Sequence, residues 1–99
     1  MALEHWAFIY VADGCDPDRD ISIVDTGKSR TVLVGVGAHE QAPAVARRLV
    51  ADGAQLLELC GGFGAADTAA VLAAIDSAVP VGTVSYGPEA ISGLHALFG

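Results

Sequence analysis

Gln55-Leu-Leu-Glu-Leu-Cys-Gly-Gly-Phe-Gly64 decides the fold of this chain. A short, mostly aliphatic run passes straight into paired glycines, the pattern of a buried parallel strand ending at a turn. The same grammar appears on either side of it. Thr31-Val-Leu-Val-Gly-Val36 closes on Gly37, and Val81-Gly-Thr-Val-Ser-Tyr86 closes on Gly87. Gly37 and Gly62 are 25 positions apart, as are Gly62 and Gly87. Strands repeating at this period, with helix-length intervals between them, predict parallel pairing through right-handed crossovers.

The intervals read as helices. Ala42, Val45, Ala46, Leu49 and Val50 share one helical face, with Arg47, Arg48 and Asp52 turned away. Pro43 fits only the first turn, and Gly53 stands where a helix stops. In the second interval Asp67 is a candidate N-cap, Val71, Leu72, Ile75 and Ala78 form the inner face, and Pro80 is the stop. In the third, Pro88 suits the first helical position, and Ile91, Leu94 and Phe98 form a stripe. Upstream, Trp6-Ala-Phe-Ile-Tyr-Val11 begins the sheet, and Ile21-Ser-Ile-Val24 with the Asp25-Thr-Gly27 turn makes a hairpin into the strand from Arg30. The expected architecture is a single α/β domain over residues 1–99. It has a mostly parallel four-stranded sheet of repeated βα units and a short hairpin strand near residues 21–24. It is either half-barrel-like, with all helices on one face, or a small doubly wound fold.

Composition narrows the partners. The 99 residues are 53% hydrophobic and 17% charged, which excludes a disordered tail. At 10.0 kDa the fold should expose roughly 5,200 Å² of the roughly 14,500 Å² that the unfolded chain exposes. That is a thin core for a parallel sheet, which wants both faces covered. A homo-oligomer is therefore expected. The net charge of −7 disfavours nucleic acid and anionic membrane as partners. No apolar run is long enough to span a bilayer, and Met1-Ala-Leu-Glu-His-Trp6 does not read as a signal peptide. With only Cys15 and Cys60, free thiols and a cytoplasmic location are expected.

Taken together, the Trp6-Ala-Phe-Ile9 start, Arg30-Thr-Val-Leu-Val-Gly-Val36, Leu57-Glu-Leu-Cys-Gly-Gly-Phe-Gly64 and Val79-Pro-Val-Gly82 resemble an uncharacterised bacterial domain family of about a hundred residues. The likeness covers nearly the whole chain, and Glu58-Leu-Cys-Gly-Gly-Phe-Gly64 is its most specific part. It implies an αβ fold and a stand-alone domain, and brings no activity with it.

The candidate chemistry lies in the same segment. Alternation along the strand puts Leu57 and Leu59 on one face and Glu58 and Cys60 on the other. If Leu57 and Leu59 face the helices, a glutamate inside an apolar strand is expected to be buried, with a raised pKa suited to acid–base work. Cys60 would sit at the strand's carboxyl end, where open α/β folds hold ligands, with its pKa lowered by the next helix start. The amides of Gly61, Gly62, Phe63 and Gly64 would meet a ligand or oxyanion. The structural alternative is that Glu58 forms a salt bridge, Cys60 is a core residue and the glycines make a tight turn. Tyr86 or Ser85, ending the neighbouring strand, must face Cys60, and His39 follows the glycine of the preceding strand. Trp6, Phe8 and Tyr10 share a face, and would wall a pocket if it is the Glu58 face. His5 and His95 read as structural.

Three other motifs fail. Asp16, Asp18 and Asp20 begin like a calcium loop, but Ile21 and Gly27 stand where glycine and glutamate are needed. Carboxylates around Cys15 make it a poor nucleophile. Gly27-Lys28-Ser29 lacks the first glycine of a P-loop. Gly35-Val-Gly37 with Glu58 has dinucleotide-site spacing but puts Glu40 where the third glycine belongs. No metal and no cofactor is expected. The functional expectation is a small, cofactor-independent enzyme moving protons on a small carbonyl or aromatic compound, of isomerase, lyase or cyclase type. Glu58, Cys60, His39 and Tyr86 would be its catalytic groups, and Gly61, Gly62, Phe63, Gly64, Tyr10 and Ser85 would contact the ligand. The alternative is a non-catalytic small-molecule-binding or assembly module.

Overall fold

The computed structural model describes residues 2–99. It contains strands β1 (His5–Val11), β2 (Ile21–Asp25), β3 (Arg30–Val36), β4 (Leu57–Leu59) and β5 (Val81–Thr83), and helices α1 (Ala42–Ala51), α2 (Ala65–Ala74) and α3 (Ile91–Phe98). They form one mixed α/β sheet in the order β2-β3-β1-β4-β5. β2 is antiparallel to β3, and every other pairing is parallel.

This order follows from the connections. β3 crosses over β1 to β4 through α1, and β4 passes to β5 through α2. Successive right-handed crossovers in one direction leave both helices on one face. That face is the core. Ala7, Ile9, Val32, Val34, Val36, Leu57 and Leu59 point into it, and meet Ala42, Val45, Ala46 and Leu49 from α1 and Val71 and Ile75 from α2. The alternation expected of Leu57 and Leu59 therefore holds, and alanines on α1 let the helix approach the sheet closely.

The connection from β1 to β3 runs in the opposite direction, and in a doubly wound fold a helix would carry it across the other face. Here residues 12–29 supply β2 instead, paired beside β3. The second face is therefore left open. Trp6, Phe8, Tyr10 and Leu33 lie on it half-buried, and Glu58 lies on it exposed. α3 does not cover it. It makes its principal contacts with its own preceding 3-10 turn, Pro88–Ala90. No residue of α3 is buried, and Leu97 and Phe98 are 77% and 84% exposed. The structure thus matches neither expected arrangement in full: two helices share one face, and the third stands apart.

Several local expectations are corrected. The strand around Leu57 is short, because Cys60 already turns, and the last strand ends at Thr83 rather than Tyr86. α2 begins at Ala65, with Gly64 as its N-cap. Asp67 is the third residue of the helix and accepts a 2.8 Å hydrogen bond from the Gly64 amide. α2 also stops before Pro80. Asp76 and Ser77 both adopt φ of 52°, which turns the chain out of the helix and leaves Ala78 exposed. Pro88 starts a 3-10 turn rather than the α-helix. Gly53 does end α1, at φ 106°. Among the described residues no helix is long and apolar enough to cross a membrane.

Leu57, fully buried between the two helices, is the test of this core. Leu57→Ala should lose about 2–5 kcal/mol in urea unfolding, whereas Arg47→Gln, on the outer face of α1, should stay within about 0.5 kcal/mol of the parent.

Candidate functional site

The chain direction reverses at one place. From β1 it goes to β3 on one side, and it later returns to β4 on the other. Open α/β sheets bind ligands in the crevice at such a reversal, outside the strand carboxyl ends. Here the crevice lies between Val11, the last residue of β1, and Cys60, the first after β4. A groove of about 710 Å³ opens at this point. Val11, Cys60, Gly61, Gly62 and Tyr86 line one side, and Leu94, His95 and Phe98 of α3 line the other.

The glycines are required by close approach. A Cβ on Gly61 would stand 2.7 Å from the Tyr86 ring, and one on Gly62 would stand 2.7 Å from a Val11 methyl and 3.5 Å from the Cys60 sulfur. Any larger residue would fill the groove from its floor. Cys60 is held there as well. Its amide donates to Ile9 O at 3.0 Å, and its sulfur accepts from the Val11 amide at 3.5 Å.

His39 holds the glycine turn from outside the groove. Its Nε2 lies 2.8 Å from Gly62 O, so this nitrogen carries the proton, and its ring meets Phe63 edge-on at 5.4 Å. Phe63 itself is buried in the core. The amides of the segment divide in two. Phe63 donates to Cys60 O, and Gly64 donates to Asp67. Among the described residues the Gly61 and Gly62 amides have no hydrogen-bond partner. At the start of α2 the Gly64 amide is thus taken by a carboxylate of its own chain, while the Gly61 and Gly62 amides are left open.

Tyr86 and Cys60 come together, as does the glycine pair. The other sequence candidates lie elsewhere. Glu58 is not buried. It stands exposed on the open face, level with Phe8 and Gly82, back along β4 from the groove. The reason is that the face opposite the helices has no cover. Trp6, Phe8 and Tyr10 share that face with Glu58, away from the groove lining. Ser85 faces a separate depression of about 480 Å³ beside Phe63 and Thr68. Tyr10 lies across Gly35, where a Cβ would come within 2.8 Å of both its ring and the Cys15 sulfur. Burial pushes the Tyr10 phenol up, and Cys15 and Asp20 add to the shift.

The acidic loop beside it is held by bonds within the loop and one from α1. Asp20 accepts from the Arg19 guanidinium and from the Asp16 amide at 2.8 Å, and Asp18 takes a 2.7 Å bond from Arg48. The Arg19 guanidinium, with the Asp16 amide, lowers the Asp20 carboxyl to about 2. A tighter cleft of about 240 Å³ lies under β2, lined by residues including His5, Ile21, Val45 and Arg48. It is away from the strand carboxyl ends and about a third of the groove's volume.

Sequence reasoning missed Val11, Leu94, His95 and Phe98. The first carries no chemistry of its own, and the others depend on where residues 84–90 place α3, which no periodicity encodes. Comparison with protein families adds one assignment, a match over residues 4–99. The chain belongs to DUF6506, a family of unknown function. The DUF6506 match takes in the whole sheet, all three helices and the groove, so the site is part of the family's own domain. No match was found among curated proteins or among solved structures.

Two outcomes follow from this geometry. Asp20 should titrate near its lowered value of about 2 in carbon-detected NMR. Because the folded-state value lies below the unfolded one, its contribution to stability is present above about pH 4 and is lost as pH falls through 2. Asp20→Asn should remove that acid-side dependence. Gly61→Ala should displace the Tyr86 ring, seen as a shift of its aromatic NMR signals, while the fold persists.

Proposed function

We propose that this domain binds a small, uncharged and largely apolar molecule in the groove between β1, β4 and α3. The observation that carries this reading is the coincidence of the groove with the strand-order reversal, where the backbone is bared by Gly61 and Gly62. Its volume falls in the range of small-molecule sites. Apolar walls from Val11, Leu94 and Phe98 and a few polar groups, Cys60, Tyr86, His95 and two unpaired amides, are the usual make-up of such a site. The chain's charge of −7 and the Asp67 carboxylate at the α2 start argue for a neutral ligand. Two free thiols are in keeping with a cytoplasmic setting.

A second reading, proton-transfer catalysis on a small carbonyl or aromatic compound, is favoured by one observation. Three side chains able to carry a proton, Cys60, Tyr86 and His95, border the same groove. Thiol, phenol and imidazole together span donor and acceptor roles, and the Gly61 and Gly62 amides would receive a developing oxyanion. On this reading Glu58 and His39 act from outside the groove, His39 by fixing the turn that presents those amides.

The test uses acetophenone and phenol as probes on ¹⁵N-labelled protein. Amide shifts should concentrate at Cys60, Gly61 and Gly62, and Tyr86→Ala should weaken binding by about tenfold. Shifts confined to the cleft under β2, or none up to the solubility of the probes, would defeat the binding reading. Deuterium exchange into the acetophenone methyl group, followed by proton NMR, separates the second reading from the first. Catalysis predicts exchange faster than buffer that is lost in His95→Gln, whereas a rate equal to buffer leaves binding alone.

A further inference from the structure

We propose that the open sheet face is a dimerisation surface, and that α3 of each copy lies along this face of the other. Register places Val24, Thr31 and Trp6 in one row across the face, and Ser22, Leu33, Phe8, Glu58 and Gly82 in the next. Apart from Glu58 these side chains are apolar or uncharged. A parallel sheet is stable when both faces are covered, and the single chain covers one.

The surface area is what points to a second copy. The protomer exposes 6067 Å². A folded chain of this mass should expose roughly 5,200 Å², so the excess is roughly 870 Å², close to one partner's share of a standard interface. The radius of gyration, 13.9 Å, likewise exceeds the roughly 12.6 Å of a compact domain of this length. α3 carries the most exposed part of this surface. Ile91, Leu97 and Phe98 of α3 are among the largest exposed apolar side chains, and Val24 is another.

One chain therefore presents two unsatisfied apolar surfaces, a sheet face and a helix, and a two-fold pair satisfies both at once. Charge agrees with this pairing. In a chain with twelve acids, α3 has none, and His95 is its one ionisable group. It is an exposed apolar element that can lie near Glu58 without a carboxylate of its own to repel it. The preceding 3-10 turn holds each α3 at the carboxyl ends of its own strands, so the helix projects from the protomer instead of folding back over Trp6 and Phe8.

Light scattering and sedimentation equilibrium on the full chain decide the matter. The parent should have twice the 10.0 kDa chain mass. Leu97→Asp should weaken association by at least about tenfold. Leu97 is 77% exposed in the protomer, so this variant has no reason to unfold, and circular dichroism should match the parent. Phe8→Glu should dissociate the dimer from the sheet side. A single-chain mass for the parent, the result expected if α3 folds back on its own sheet, overturns the proposal. A Leu97→Asp protein that keeps the parent's dimer constant overturns it as well, whether or not Phe8→Glu folds.

Discussion

The burial of Leu57 and Leu59 against α1 and α2 is the constraint on which the rest of this structure depends. Side chains alternate along a strand, so committing these two leucines to the helices commits Glu58 to the opposite face. The parallel register carries that commitment sideways. Ala7 and Ile9 follow Leu57 and Leu59 inward, and Phe8 follows Glu58 outward. The next strand repeats the division, with Val32, Val34 and Val36 inward. One slip of register would exchange a wholly aliphatic inner sheet face for one bearing a carboxylate, a thiol and three aromatic rings.

The same constraint sets the site. β4 can run inward for only three residues before the chain must turn toward α2, and the turn is made by Cys60, Gly61 and Gly62. Space left by the glycines is taken up partly by the Tyr86 ring and partly by the groove. His39 and Phe63 secure the turn from the core side, so the groove floor is held by an imidazole, a buried ring and a backbone hydrogen bond rather than by loop entropy alone. Groove and open face are distinct consequences of one departure from doubly wound topology. The segment that would have been a helix between β1 and β3 is an edge strand.

Most of the architecture was legible in the sequence, because it is written in local patterns. Glycine at a constant 25-residue spacing marks the strand ends, and the stripe from Ala42 to Val50 marks α1. The Leu57–Leu59 face was legible for the same reason. What was not legible depends on long-range placement. The exposure of Glu58 reflects a helix missing from the far face, and a lone glutamate in an apolar strand looks the same whether that face is covered or not. The start of α2 was misplaced because Asp67 serves a cap equally well from the cap position or from the third helical position. α3 was legible as a helix, but its wall of the groove was not, since Leu94, His95 and Phe98 reach Cys60 only through the path of residues 84–90.

The Asp67–Gly64 hydrogen bond has a chemical consequence beyond ending a helix. A helix start with bare amides is an attractor for phosphate and carboxylate groups, which are the commonest handles on small metabolites. This one carries its own counter-charge, supplied three residues along the same chain, beside the Gly61-Gly62 turn. On the binding reading proposed above, the Asp67 carboxylate would weigh against an anionic ligand through the covalent chain itself.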